Sequence, residues 1–167
     1  MVTYWNVTVP GVNGPEERRA YLYLPACYDV EPQRRFPVLY MFDGHNVFFD
    51  SHATYGKCWG MKEYLDATAT PLIVAAVECN HGPNNERLSE YTPYPFRNPR
   101  FGNVSAYGHE TMEWFVRHFK PEIDRQARTL PDRRHTFIGG SSMGGLMALY
   151  AVTEYNHVFS RAAALSP

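Results

Sequence analysis

Apolar and polar positions alternate at two places near the start of the chain and then give way to unbroken apolar runs. Residues 3 to 9 alternate and are rich in Thr, Val and aromatics, and residues 20 to 24 do likewise. Gly11, Asn13, Gly14 and Pro15 lie between them, which predicts a β-hairpin. Residues 37 to 42 and 72 to 77 are almost wholly apolar over a strand's length, the pattern of strands covered on both faces. A short helical candidate, residues 61 to 68, separates them. From Cys79 the pattern dissolves, so residues 80 to 103 are expected to form one long loop, a length that marks functional or mobile segments. Helical spacing returns with Met112, Phe115, Val116, Phe119 and Ile123 on one face, and Pro121 should kink or split that helix. Residues 162 to 165 read as a last buried strand. Strands alternating with helices predict an α/β fold with a parallel sheet built of βαβ units.

Composition narrows the function classes. A length of 167 residues suits one domain with a real core. A net charge of -1 offers no field for nucleic acid or an anionic membrane, so neither is an expected partner. No basic region followed by an apolar run opens the chain, and the expected location is cytoplasmic. Cys27, Cys58 and Cys79 are an odd number at wide spacings, which favours free thiols over a disulfide framework or a zinc knuckle.

The chemistry is concentrated in Gly139-Gly140-Ser141-Ser142-Met143-Gly144-Gly145. Thr136, Phe137 and Ile138 lead into it at strand propensity, and Leu146, Leu149 and Tyr150 lead out of it at helical spacing. Within it, residues 140 to 144 read Gly-x-Ser-x-Gly, a strand-turn-helix bend that lifts the central serine into solvent. The pentapeptide alone is weak, and a tight packing turn or an anion-holding helix N-terminus would use similar residues. The flanking strand and helix are what make it specific.

With these residues in view, the chain resembles the Putative esterase family of α/β-hydrolases, the group that includes feruloyl and acetyl-xylan esterases, enterochelin-esterase-like proteins and S-formylglutathione hydrolases. The resemblance is carried by residues 40 to 48 (Tyr-Met-Phe-Asp-Gly-His-Asn-Val-Phe), 87 to 93 (Arg-Leu-Ser-Glu-Tyr-Thr-Pro), 119 to 124, the serine turn and 159 to 167. It implies a sheet in strand order 1-2-4-3-5-6 with helices on both faces, as a single domain over residues 1 to 167 that stops after the sixth strand. It implies a serine esterase acting through an acyl-enzyme on Ser142, with the backbone N–H groups of Met143 and His45 as oxyanion hole. Asp43-Gly44-His45 stands where the family more often has His-Gly-x. Gly44, Asn46, Arg87 and Tyr91 are the implied substrate contacts, the partner is a small-molecule ester, and no cofactor is implied. The last strand, left as an apolar edge, is a candidate for self-association.

Two expectations concern what the pattern lacks. In this fold the serine is followed by an acid and then a histidine. After Ser142 there are only Glu154 and His157, both at the far end of the helix that the serine begins. A helix of twelve residues is about 18 Å long, so neither can partner the serine, and a catalytically inactive binding domain is the rival reading. His45, His52, His81 and His109 are the other histidines near strand exits, with His45 the best candidate for a substitute base. Asp43, His45, Asp50, His52 and Cys58 match no metal-ligand spacing, so no metal is expected. Tyr91, Tyr94, Phe96 and Phe101 beside Arg87, Arg97 and Arg100 could wall an aryl ester or simply pin their own loop.

Overall fold

A computed structural model describes residues 1 to 167. Its centre is a six-stranded sheet in the order β1-β2-β4-β3-β7-β8, formed by Val2–Val9 (β1), Glu16–Tyr23 (β2), Val38–Met41 (β3), Ile73–Val77 (β4), Thr136–Ser141 (β7) and Arg161–Leu165 (β8). β1, β2 and β4 pair antiparallel, while β4, β3, β7 and β8 run parallel. β2 begins four residues before the apolar stretch that signals it, because Glu16 to Arg19 extend the ladder with β1.

The apolar runs are explained by a sheet buried on both sides. Val38 and Tyr40 of β3, Ile73, Ala75 and Val77 of β4 and Ala20 and Leu22 of β2 join one cluster. The residues between them in sequence, Met41, Val74, Ala76, Tyr21 and Tyr23, join the other. The period of two in each strand sends alternate side chains to opposite faces. Met61–Ala67 (α1) covers the smaller face through Leu65. The larger face is covered by Met112, Phe115, Phe119 and Ile123 from one long helical segment, and by Met147, Ala148 and Ala151 of Met143–Glu154 (α5). No helix is long and apolar enough to cross a membrane.

The long segment answers the proline differently from a kink. Gly108–Trp114 (α3) passes into a π-helical turn, Phe115–Phe119, and then into Lys120–Gln126 (α4), where Pro121 stands in the first turn. Pro121 has no N–H to give to the preceding turn, and the widened π-helical turn before it takes up both the missing bond and the clash with the preceding carbonyl. The apolar face therefore continues across Pro121.

Residues 80 to 103 are more ordered than a loop. They contain Glu86–Glu90 (α2) and a small hairpin of Phe96–Asn98 (β5) and Gly102–Val104 (β6). Asn98 Oδ1 accepts the N–H groups of Arg100 and Phe101 at 2.8 and 3.2 Å, and Gly102 has φ +72°. Side-chain closure of the turn replaces the apolar periodicity that would have signalled it.

The crossing of β7 and α5 tolerates no side chain. A Cβ on Gly140 would lie 2.6 Å from the carbonyl carbon and oxygen of Gly144. Gly140→Ala should therefore cost about 1–3 kcal/mol of stability. Urea unfolding of the variant should show a lowered midpoint at unchanged slope.

Candidate functional site

Ser142 stands at the junction of β7 and α5, exposed, with φ 54° and ψ −123°. That region of backbone space suits glycine and costs other residues roughly 1–3 kcal/mol. The conformation is held from both sides. The Ser142 N–H donates to the Leu165 carbonyl at 2.9 Å, and the Ser142 carbonyl accepts the Leu146 N–H at 3.0 Å. Met143, Gly144 and Gly145 form the first helical turn, whose N–H groups have no carbonyl of their own helix to bond.

β3 lies parallel beside β7, with Met41 opposite Gly139, so the loop leaving β3 sits against the serine turn. That loop is Asp43 followed by a 3₁₀ turn, Gly44–Asn46. A Cβ on Gly144 would lie 3.0 Å from Asp43 Oδ2 and 3.1 Å from Phe42 Cβ, which shows how closely loop and helix meet. The bonds of the 3₁₀ turn run from Asn46 N–H to Asp43 and from Val47 N–H to Gly44. The N–H of His45 precedes that ladder, as the first donors of any helix do. Gly44 lies on the end of β4, where a Cβ would be 2.9 Å from the Val77 backbone.

Asp43 is the anchor. It is non-glycine with φ 56°, its side chain is 4% exposed, and both carboxylate oxygens accept from Arg87: Nε to Oδ1 and Nη2 to Oδ2, each 2.7 Å. The Asp43 N–H donates to the Tyr91 hydroxyl at 3.3 Å, and the Arg87 guanidinium lies 5.2 Å from the centre of the Tyr91 ring. A bidentate pair fixes orientation as well as distance.

This arrangement changes the parts expected of four residues. Tyr91 is 1% exposed in the core and Arg87 is engaged by Asp43. Asn46 Oδ1 accepts the Thr54 N–H at 2.9 Å, and Gly44 is buried against β4. Arg87, Tyr91, Asn46 and Gly44 thus each make a contact that holds the loop. The sequence could show that they belong together but not that they point inward. Tyr94 and Phe96 with Leu146, Leu149 and Tyr150 line an apolar groove of about 250 Å³. Leu146 is one helical turn beyond Ser142, and the signal for this groove was an α5 apolar on more than its sheet-facing side. Phe101 stays apart, under the Arg100 guanidinium.

No histidine hydrogen-bonds to the Ser142 hydroxyl. His45, expected as the best substitute base, has its Nε2 3.0 Å from Thr54 Oγ1 and is pushed down to about 4 by burial and by His81. His52 pairs with the Tyr21 hydroxyl and His109 with that of Tyr155. Glu154 and His157 are exposed at the end of α5. The acidic positions near His45 are also dispersed: Asp43 goes to Arg87, and Asp50 accepts the Cys58 N–H at 2.8 Å.

Fold and site together define a mixed, mostly parallel α/β sheet with an exposed serine on a strained strand-to-helix turn. The Putative esterase family profile matches residues 13–167, and the chain belongs to that family. It is 26% identical over 151 residues to the uncharacterized protein YbbA of Bacillus subtilis (strain 168), covering 89% of this chain and 56% of YbbA. The chain thus spans a little over half the length of that curated relative. Among solved structures it is similar to a siderophore hydrolase, EstA, from Aspergillus nidulans (TM-score 0.71, 17% identity, covering 98% of this chain and 56% of EstA). It is also similar to an IroE-like serine hydrolase from Shewanella oneidensis (TM-score 0.70, 21% identity, 97% and 50% covered). At these identities the likeness to solved structures concerns the fold.

Two measurements check the site. Arg87→Ala strands the Asp43 carboxylate and should cost about 3 kcal/mol, the low end for a broken buried pair because the guanidinium is partly exposed. Combined with Asp43→Asn, the loss should be smaller than the sum of the two single losses in a double-mutant cycle. Next to this pair, Glu90 is buried and accepts the Asn80 N–H at 2.6 Å. Burial, with Glu16 and Asp43 adding to it against the opposing pull of Asn80 and Arg18, pushes its carboxyl up to about 7. The native state then binds the proton more tightly than the unfolded chain, so this group's contribution to stability falls as pH rises from about 4.5 to about 7 and is level above that. Glu90→Gln should flatten that fall in pH-dependent urea unfolding.

Proposed function

We propose that the chain carries the nucleophile and oxyanion hole of a carboxylic-ester hydrolase. Ser142 Oγ gives up its proton and attacks the ester carbonyl, the carbonyl electrons move onto oxygen, and the Met143 and His45 N–H groups donate to that oxyanion. Collapse of the intermediate breaks the bond to the alkoxide, which takes up the proton that Ser142 released and departs as the alcohol, leaving an acyl-Ser142 that water then hydrolyses. Each oxyanion donor is typically worth about 3 to 4 kcal/mol in the transition state. The single observation that carries this reading is an exposed serine held at φ 54° and ψ −123° against the Asp43–Asn46 loop. Membership of the Putative esterase family supports it.

The groove beside Leu146 and Tyr150 would take an apolar or aryl part of the ester, through contact area and ring stacking. The proton of Ser142 needs an acceptor that none of the histidine contacts described above provides. Because serine is a weak nucleophile without a base, the same observation favours one rival, an inactive α/β-hydrolase-like domain that binds a ligand.

A fluorophosphonate probe tests for the activated serine. An activated serine should label rapidly and stoichiometrically, and Ser142→Ala should abolish the signal. Labelling no faster than that of an ordinary surface serine is what a binding domain, or an esterase segment without its acid and base, would give.

A further inference from the structure

The end of β4 carries a cluster that ester chemistry does not use. Cys79 is buried, His81 two residues later is exposed, and His45 from the loop after β3 stands edge-on to His81 with ring centres 4.4 Å apart. One ligand atom from each of the three residues lies within 4.8 Å of the other two. The His45 side chain is in a particular state. Its Nε2 is taken up by Thr54, and its Nδ1 is buried without a hydrogen-bond partner. An orphaned polar atom of this kind costs about 1–3 kcal/mol unless something satisfies it.

We propose that His45, Cys79 and His81 form a site for a borderline-soft divalent cation of the zinc class, with solvent completing a fourth position on the His81 side. The donor set decides the class. One thiolate with two imidazoles suits zinc or a similar transition metal and offers magnesium or calcium none of the oxygen ligands they require. The Thr54 contact is the kind of outer partner that fixes the tautomer of a metal-bound histidine: where Thr54 Oγ1 accepts from Nε2, Nδ1 keeps its lone pair for a metal. Zinc bonds of about 2.3 Å to sulfur and 2.0–2.1 Å to nitrogen bring tetrahedral donors to roughly 3.5 Å apart. The three donors therefore have little distance to close, and exposed His81 can swing to close it.

Proton balance is simple. Cys79 is a free cysteine and enters the site as S–H. Forming the metal–sulfur bond releases that proton to solvent, and affinity should rise with pH. The sequence hides this site because its ligands come from the loop after β3 and from the end of β4, adjacent strands whose residues are distant along the chain.

Cobalt replaces zinc in such sites and reports on its ligands by absorption. Titrating the 167-residue chain with Co²⁺ should produce a thiolate-to-metal charge-transfer band and tetrahedral d–d bands, saturating at one equivalent and bleached by Zn²⁺. Cys79→Ser should remove the charge-transfer band. His81→Ala alters only an exposed side chain, and with its circular dichroism unchanged it should bind Co²⁺ at least tenfold more weakly. His118→Ala, on the surface of the π-helical turn, should bind as the parent does. A parent chain with no charge-transfer band would overturn the proposal, as would a band that survives Cys79→Ser or an affinity unchanged by His81→Ala. None of these readings depends on Ser142 reacting with anything.

Discussion

The first turn of α5 passes over the end of β7 with almost nothing between the two backbones, and the rest of the site depends on that contact. Gly140 and Gly144 meet where any Cβ would collide. The chain must therefore reverse sharply, and Ser142, at the apex, takes up a backbone conformation that few residues accept. Its hydroxyl is exposed because the turn has no room for it elsewhere.

A second loop is pressed against this turn by the parallel pairing of β3 and β7. Its position rests on charge rather than on apolar packing. Asp43, in a left-handed conformation, gives both oxygens to Arg87 and its N–H to Tyr91, so three residues from two distant segments fix one turn. A pair of this kind does little for net stability, since desolvation offsets most of the attraction. Its value lies in direction: the loop cannot slide without parting two short hydrogen bonds. The groove along α5 begins at Leu146, one helical turn from Ser142.

Most of the architecture could be read from the chain because burial on both faces leaves a plain mark. Residues 37 to 42 and 72 to 77 are apolar at every step for the same reason that β3 and β4 send side chains into both clusters. The α/β class and the serine turn were legible on that basis. What could not be read was the direction of side chains in the irregular segments. Tyr91 and Phe96 look alike in sequence, yet one is in the core and the other lines a groove, because the turn at Asn98 and the short α2 rotate them apart. Arg87 and Glu90 share a helix of five residues, and only the fold shows that one reaches Asp43 while the other is buried beneath Asn80. Contacts between a loop and a strand end leave no periodic trace.

The strained backbone at Ser142 also has a consequence over generations. Glycine occupies φ 54° and ψ −123° without penalty, and a Ser-to-Gly change is a single-residue step that would relax the turn. A lineage with no use for the hydroxyl would gain stability by taking that step, and random substitution would offer it repeatedly. Serine at this position is thus a standing cost of roughly 1–3 kcal/mol that mutation could remove at any time. Ser142 stands between two glycines that the packing requires, at the one point of the turn where the backbone would favour a glycine and the chain has a hydroxyl instead.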